Sequence, residues 1–413
     1  QHQSKARCWV KIPPRLGGFL NSKIFDKISL STVVKILAMK TFAKGFGMAF
    51  LGGALLIGLH PLLFSSSLFE NGSALISSIV PDKEPPAKTP EELLAEARAR
   101  SSDVKALYMT ADVANDPGAG ATRLRERIIG IAEATEINAI VIDVKEVCGV
   151  DINEEHLKKL LDELRAKNIW AIARIVAFKD ASQIKTHPQW YLTRKAEKSV
   201  REGGCRGKQH LVAKGSGTTP APIFWRDDAG GYWLDPASDE VREYLIAFSK
   251  RMIDAGFDEL QFDYIRFPSD GDVLQALYPV WDRKTPRYDV MGSFFTSLRD
   301  NLKSYKPDII LSADIFGYVA AQHEDPTIGQ RLSDIAKTFD YVSFMVYPSH
   351  YYTGLYLAAD PARGLPAVNY TVGLVRANPG VTVGRSLLIA QDYFDLVAST
   401  SQATTSPHYG KPI

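Results

Sequence analysis

The sequence predicts an α/β fold: a (β/α)8-type TIM barrel that reads as incomplete at its C-terminal end, preceded by one N-terminal transmembrane helix. Three observations predict it. From residue 104 onward, short and almost continuously apolar segments alternate with amphipathic helical ones, the pattern of a parallel sheet with helices outside. The repeats number about seven, which favours a closed barrel over a doubly wound sheet. No GxGxxG follows the first strand, so the main mark of a nucleotide-binding fold is missing.

Composition narrows the class. Hydrophobic content of 45% and charged content of 23% over 413 residues are those of a globular chain. A net charge of +2 argues against a nucleic-acid binder. Three cysteines, Cys8, Cys148 and Cys205, are too few for a disulfide scaffold or a zinc cluster. There is no CxxC, HxH or HExxH spacing, so neither a metal nor another cofactor is expected.

Residues 1–44 are basic with no evident fold and are expected in the cytoplasm. Phe46 to Phe64 carries no Asp, Glu, Lys or Arg. That is long enough to cross a hydrocarbon core of about 30 Å as a helix. Residues 45–65 are therefore expected to be a retained single-pass anchor, since no Ala-x-Ala-like cleavage site follows. The basic flank puts the remainder of the chain outside the cell membrane. Residues 66–103 form a Pro-rich linker and a short helix, with Thr89 as N-cap, Pro90 at the first position and Glu92 closing a capping box.

The barrel is expected over 104–398. Val104–Met109 is its first strand, followed by a polar loop at 112–120 and a helix at 122–135. Ile137–Val144 is the second strand, and Asn153 caps a helix that Asn168 stops. Ile169–Phe178 is the third, with a very long loop to Leu234 that contains an insertion at about 198–222. Asp235-Pro236 is expected to open a helix over 236–255. Asp258–Pro268 supplies the fourth strand, Ile309–Ile315 the fifth and Tyr341–Tyr347 the sixth. Val381–Ala390 is expected to be the seventh, and 399–413 an irregular tail.

Side chains alternate faces along a strand. Glu259, Gln261 and Asp263 thus share one face, and Leu260, Phe262 and Tyr264 the other. An apolar face against helices with a carboxylate-bearing face inside suits a barrel whose mouth holds the chemistry. Glu259 lies deeper than Asp263, where a buried ion pair is expected. Three apolar strands end in aspartate: Asp143, Asp263 and Asp314. One such aspartate alone is well explained as a loop hydrogen-bonder. Two on consecutive strand ends, Asp263 and Asp314, are what glycoside chemistry needs, with one carboxylate ionised and one holding a proton for the leaving oxygen. Their like charges push the two proton affinities apart.

Around the mouth, Trp190, Trp225, Trp233, Tyr264, Tyr318, Tyr347, Tyr351 and Tyr352 offer faces on which sugar rings stack. Arg174 and Arg266 are suited to holding carboxylates or acidic sugars. His350 is a candidate for proton transfer. The expected substrate-binding set is Asp143, Arg174, Tyr264, Arg266, Tyr347 and His350, with Asp263 and Asp314 catalytic. Cys148 and Cys205 fall in loops on the same face and are free to pair outside the cytoplasm.

Four stretches resemble a known family: Ile137–Lys145, Ala173–Asp180, Trp233-Leu-Asp-Pro236 and Phe257–Pro268. They are similar to the glycoside hydrolase domain of bacterial surface proteins, first catalogued as a domain of unknown function and related to α-amylase-like TIM barrels. The resemblance runs from about 104 to 376. It implies that Asp263 takes the nucleophile position and that Asp314 falls where the acid/base, usually Glu, would be. Lys198–Pro222 and the region after Gly384 depart from the pattern. The expected function is a membrane-anchored glycoside hydrolase acting on an extracellular or cell-surface polysaccharide. The alternatives are an inactive barrel that binds glycan or cell wall, and a metal-dependent hydrolase built on Asp143, Asp263, Asp314 and His350. The oligomeric state is left open.

Overall fold

The fold comes from a computed structural model that describes residues 8–11, 88–150, 152–195, 205 and 223–403. Contacts divide the chain into one unit of Gln1–Arg15 with Lys88–Ile413, and a second, Leu16–Ala87, that lies outside the described residues. The expected membrane segment, 45–65, is among those not described. No described helix is long and apolar enough to cross a membrane.

In chain order the elements are β1 (Cys8–Lys11), α1 (Pro90–Arg100), β2 (Ala106–Met109), α2 (Ala111–Asn115), α3 (Ala119–Ala134), β3 (Ala139–Lys145), α4 (Glu154–Ala166), β4 (Trp170–Val176), α5 (Asp239–Ala255) and β5 (Glu259–Asp263). There follow α6 (Arg287–Tyr305), β6 (Ile310–Phe316), α7 (Gly317–Gln322), α8 (Leu332–Thr338), β7 (Tyr341–Met345), β8 (Leu355–Leu357), β9 (Val368–Tyr370), α9 (Val372–Ala377) and α10 (Pro379–Ala403). Strands β2 to β7 run parallel and side by side in sequence order, and β1 joins β7 antiparallel. Among the described residues this sheet is open: β1 and β2 are its two edges and do not pair with each other. A closed barrel was expected, and six parallel strands make a half-barrel. A strand over 8–11 was not expected at all, because four residues carry too little alternation to stand out in a basic segment.

The two faces of the sheet differ as the alternation dictates. Ile140, Ile142, Ala171, Ala173, Leu260, Phe262, Leu311, Ala313, Val342 and Phe344 point outward into the main core. There they meet the buried stripes of α4, α5 and α6, such as Leu157, Leu161 and Leu164, or Leu245, Phe248 and Met252. These stripes recur at three- and four-residue intervals, one helix face each. The inner face opens with an apolar floor of Val141, Trp170, Ile172, Ile310 and Tyr341. Helix α1 packs beneath that floor through Leu94 and Ala97. Arg98 Nη2 donates to Asp340 Oδ1 at 2.9 Å, and Arg100 lies 5.0 Å over the Trp170 ring. The Thr89–Glu92 capping box forms as expected.

Four local expectations need correction. Val381–Ala390 is helical, inside α10, not a seventh strand. Thr382, Ser386, Ala390 and Phe394 are buried at every fourth position, with Arg385 buried beside Ser386, which is a helix face. Three of these are polar, so the face was hidden, while Val381 and Leu388 are exposed. The same helix runs through 399–403, so the irregular tail can begin only beyond it. Helix α5 starts at Asp239, where Ser238 accepts from Val241 N–H. Asp235 is not its cap; its carboxylate instead accepts from the N–H groups of Val280 and Trp281 at 2.7 and 2.9 Å. Part of the loop expected at 112–120 is helix α2, which Thr110 caps.

Candidate active site

Above the apolar floor the inner face turns polar, because register brings the polar strand positions level. Asp143 on β3 pairs with Arg174 on β4, Arg174 with Gln261 on β5, and Gln261 with Ser312 on β6. One step beyond the last registered pair, Phe262 and Ala313, come Asp263 and Asp314. They stand at the C-terminal ends of neighbouring strands, whose axes lie about 4.8 Å apart.

Arg174 is the centre of this layer. Its Nη1 donates to Asp143 Oδ1 at 2.7 Å and its Nη2 to Asp263 Oδ2 at 2.5 Å, while Nε lies 3.8 Å from Asp314 Oδ2. Burial alone would lower the proton affinity of the guanidinium. Asp263 and Asp143, then Tyr108 and Asp314, outweigh it and raise the pKa well above the ordinary arginine value. The other carboxylate oxygens are held too. Asp143 Oδ2 accepts from the Tyr108 hydroxyl. Asp263 Oδ1 accepts from the N–H of Tyr264 at 2.7 Å. Asp314 Oδ1 accepts from Gln261 Nε2 at 2.6 Å. The cluster is well covered, with Asp263 6%, Asp143 4% and Asp314 2% exposed.

Tyr264, next in sequence to Asp263, has a positive φ of 53°, a rare conformation for a bulky side chain. That bend turns the backbone N–H back onto Asp263. The Tyr264 ring has Lys179 Nζ 5.1 Å and the Arg266 guanidinium 5.4 Å from its centroid, and meets Trp233 edge-on at 5.9 Å. Lys179 is neutralised by Asp227 Oδ2 at 2.7 Å. Beyond β7, Tyr347 and His350 meet edge-on at 5.0 Å, and His350, exposed, stacks on Phe316 at 6.3 Å.

The structure thus draws Asp143, Arg174, Asp263 and Asp314 into one cluster and sets Tyr264 and Arg266 beside it. Tyr347 and His350 belong to an aromatic group with Phe316 beyond the end of β7. Of the aromatic side chains expected to stack on sugar, Trp225, Trp233 and Tyr351 are fully enclosed and serve packing, whereas Tyr352 is 67% exposed. Glu259 has no cation at ion-pair distance among the described residues. Instead Ser312 Oγ and Trp170 Nε1 donate to it at 2.6 and 3.0 Å. Burial pushes its pKa up to about 7, more than those hydrogen bonds lower it. Tyr108 was not singled out from the sequence, because one tyrosine near the end of a four-residue strand carries no pattern. Gln261 was seen only as a face-mate of Asp263; its neutral amide gave no sign that it would hold Asp314.

Cys148 and Cys205 form a disulfide, with Cα atoms 5.4 Å apart. It ties the loop after β3 to the long loop after β4, whose inserted stretch 198–222 is otherwise outside the described residues. Lys145, on β3, reinforces this side. Its Nζ meets Asp180 Oδ2 at 2.9 Å, both side chains fully buried.

The model of the family described as "Putative glycosyl hydrolase domain" matches residues 106–372. The chain belongs to this family. Its match begins with β2 and ends at the first residue of α9, so it contains the whole carboxylate cluster. A search of curated proteins gave no match. Solved structures with partial likeness include a hypothetical protein from Ruminiclostridium thermocellum ATCC 27405, at 25% identity over 50% of this chain and 96% of that one, with a TM-score of 0.37. A "Family GH13_31 enzyme" is similar at 14% identity over 59% of this chain and 52% of its own, with a TM-score of 0.37. An acarbose-soaked Nostoc punctiforme debranching enzyme is similar at 18% identity, 46% and 39% coverage and a TM-score of 0.30. The chain thus spans about half of the second protein and about two fifths of the third.

Proposed function

We propose that this member of the glycosyl hydrolase domain family is a hydrolase of O-glycosidic bonds in an extracellular or cell-surface polysaccharide. The observation that carries this reading is the convergence of Asp263 and Asp314, from consecutive strand ends, on the single guanidinium of Arg174. Asp263 is the carboxylate that attacks or stabilises an oxocarbenium-like centre, with Arg174 as its counter-ion. Asp314 is the partner that carries the proton to the leaving oxygen. Tyr264, Arg266, Tyr347 and His350 would contact the sugar, and Asp143 would fix Arg174. In this reading the half-barrel is part of a closed (β/α)8 barrel, and residues 45–65 anchor it with the N-terminus in the cytoplasm.

A second reading, an inactive glycan-binding barrel, is favoured by the cover over Asp314 and by a guanidinium already shared among three carboxylates. The test is a panel of polysaccharides incubated with the wild type and with Asp263→Asn. Cleavage by the wild type, lost in Asp263→Asn while binding persists, is expected of the hydrolase. Binding without cleavage by the wild type on every glycan would leave the binding module.

A further inference from the structure

The cations beside the carboxylate cluster are not equivalent. Arg174 is engaged by three aspartates and Lys179 by Asp227. Arg266 is only 8% exposed, yet no carboxylate lies within ion-pair distance of it among the described residues. Its Nη1 donates to the carbonyl of Phe267 at 2.9 Å. Its guanidinium otherwise lies over ring faces, 5.1 Å from Trp233 and 5.4 Å from Tyr264. Burial lowers the proton affinity of this arginine, and the more distant charges of Tyr264, Asp270 and Asp263 do not make up the difference.

A charge taken out of water without a counter-ion is costly, and proteins keep such groups where a ligand supplies the missing charge. The place fits that role. Arg266 follows Asp263 by three residues, and at the left-handed turn between them Tyr264 gives its N–H to Asp263 and its ring to Arg266. Backbone strain of this kind gathers at ligand-binding positions. A guanidinium set beside two rings, with no carboxylate yet engaged among the described residues, is a planar donor suited to a carboxylate.

We propose that Arg266 is an anion subsite beside Asp263, and that the glycan bound here carries carboxylates, as uronic-acid sugars do. This rests on the glycoside hydrolase reading for its substrate, but the binding it predicts does not require cleavage.

The test is binding to the full chain in detergent, measured by calorimetry and ligand-observed NMR. The probes are D-glucuronate, D-galacturonate and D-mannuronate, each against its neutral parent sugar. At least one uronate is expected to bind about tenfold more tightly than its parent. Arg266→Gln is expected to erase that preference and Arg266→Lys to keep part of it, since lysine retains charge but not the fork. Thermal melting confirms that each variant is folded. Should Arg266→Gln not fold, Arg266→Lys decides, and an undiminished preference in it overturns the proposal. No uronate preference in the wild type, or a preference that survives Arg266→Gln, also overturns it. The two readings fail separately. Uronate preference without cleavage of any polysaccharide removes the hydrolase and leaves the subsite, whereas cleavage of neutral glycans without uronate preference does the reverse.

Discussion

Arg174 on β4 donates to Asp263 at the end of β5 across 2.5 Å, and the same guanidinium reaches Asp143 and Asp314 on the strands to either side. Three carboxylates on β3, β5 and β6 are compatible because one cation, on β4, sits between them.

Arg174→Gln should therefore destabilise the fold by about 3–5 kcal/mol, the usual cost of leaving buried charge unpaired. Arg174→Lys should recover only part, since an ammonium cannot address three carboxylates in one plane. Urea denaturation of the three proteins measures this. A loss under about 1 kcal/mol in Arg174→Gln would mean that the aspartates share protons rather than a cation.

Glu259 gives the fold a pH dependence of known sign. Its folded pKa is about 7, against an ordinary value of 4.5. The unfolded chain therefore releases this proton at lower pH than the folded one. Stability from this group is complete below about pH 4.5, falls as pH rises toward 7, and is then constant. The total loss is roughly 3 kcal/mol. Glu259→Gln imitates the protonated acid and should flatten the fall between pH 4.5 and 7. Parallel stability–pH curves for the two proteins would show that Glu259 does not cause it.

The Cys148–Cys205 link joins residues 57 apart in sequence. Its loss should cost about 2–4 kcal/mol, chiefly by freeing the unfolded chain. Dithiothreitol should lower the melting temperature of the wild type and leave that of Cys148→Ser/Cys205→Ser unchanged. An equal response of both would place the effect elsewhere.

Gly317 opens α7 against the end of β7. A Cβ there would stand 2.4 Å from the carbonyl oxygen of Met345 and 3.0 Å from its carbonyl carbon. Both are backbone atoms and have little freedom to retreat. Gly317→Ala should cost about 1–3 kcal/mol. Gly373→Ala, at a glycine with open space around it, is the control and should cost far less. Similar melting points for the two variants would contradict the close approach.

Much of the fold was legible because it is periodic. The apolar runs at Ile137–Val144 and Ile309–Ile315 fall on β3 and β6 within a few residues, and Thr89, Asn153 and Asn168 act where capping chemistry puts them. Val381–Ala390 was misread because its buried helix face includes Thr382 and Ser386, and β-branched valines mimic a strand. Asp235 was misread because an aspartate before proline satisfies the rule for a cap as well as it satisfies a loop.

What the sequence determined by itself is the alternation: six of the seven strands it suggested, their helices, and three aspartates near strand ends. Period and capping are local, so residues a few positions apart suffice to specify them. What only tertiary structure decided is who meets whom. Register across β3 to β6 made Arg174 the shared partner of Asp143, Asp263 and Asp314, gave Gln261 to Asp314, and left Arg266 without a carboxylate at ion-pair distance among the described residues, although it lies three residues from one. The pairings among Arg174, Gln261 and the three aspartates join positions from 31 (Asp143 to Arg174) to 140 (Arg174 to Asp314, 314 − 174) residues apart. They depend on a one-residue choice of strand register, which burial of the outer apolar face settles and no local pattern records.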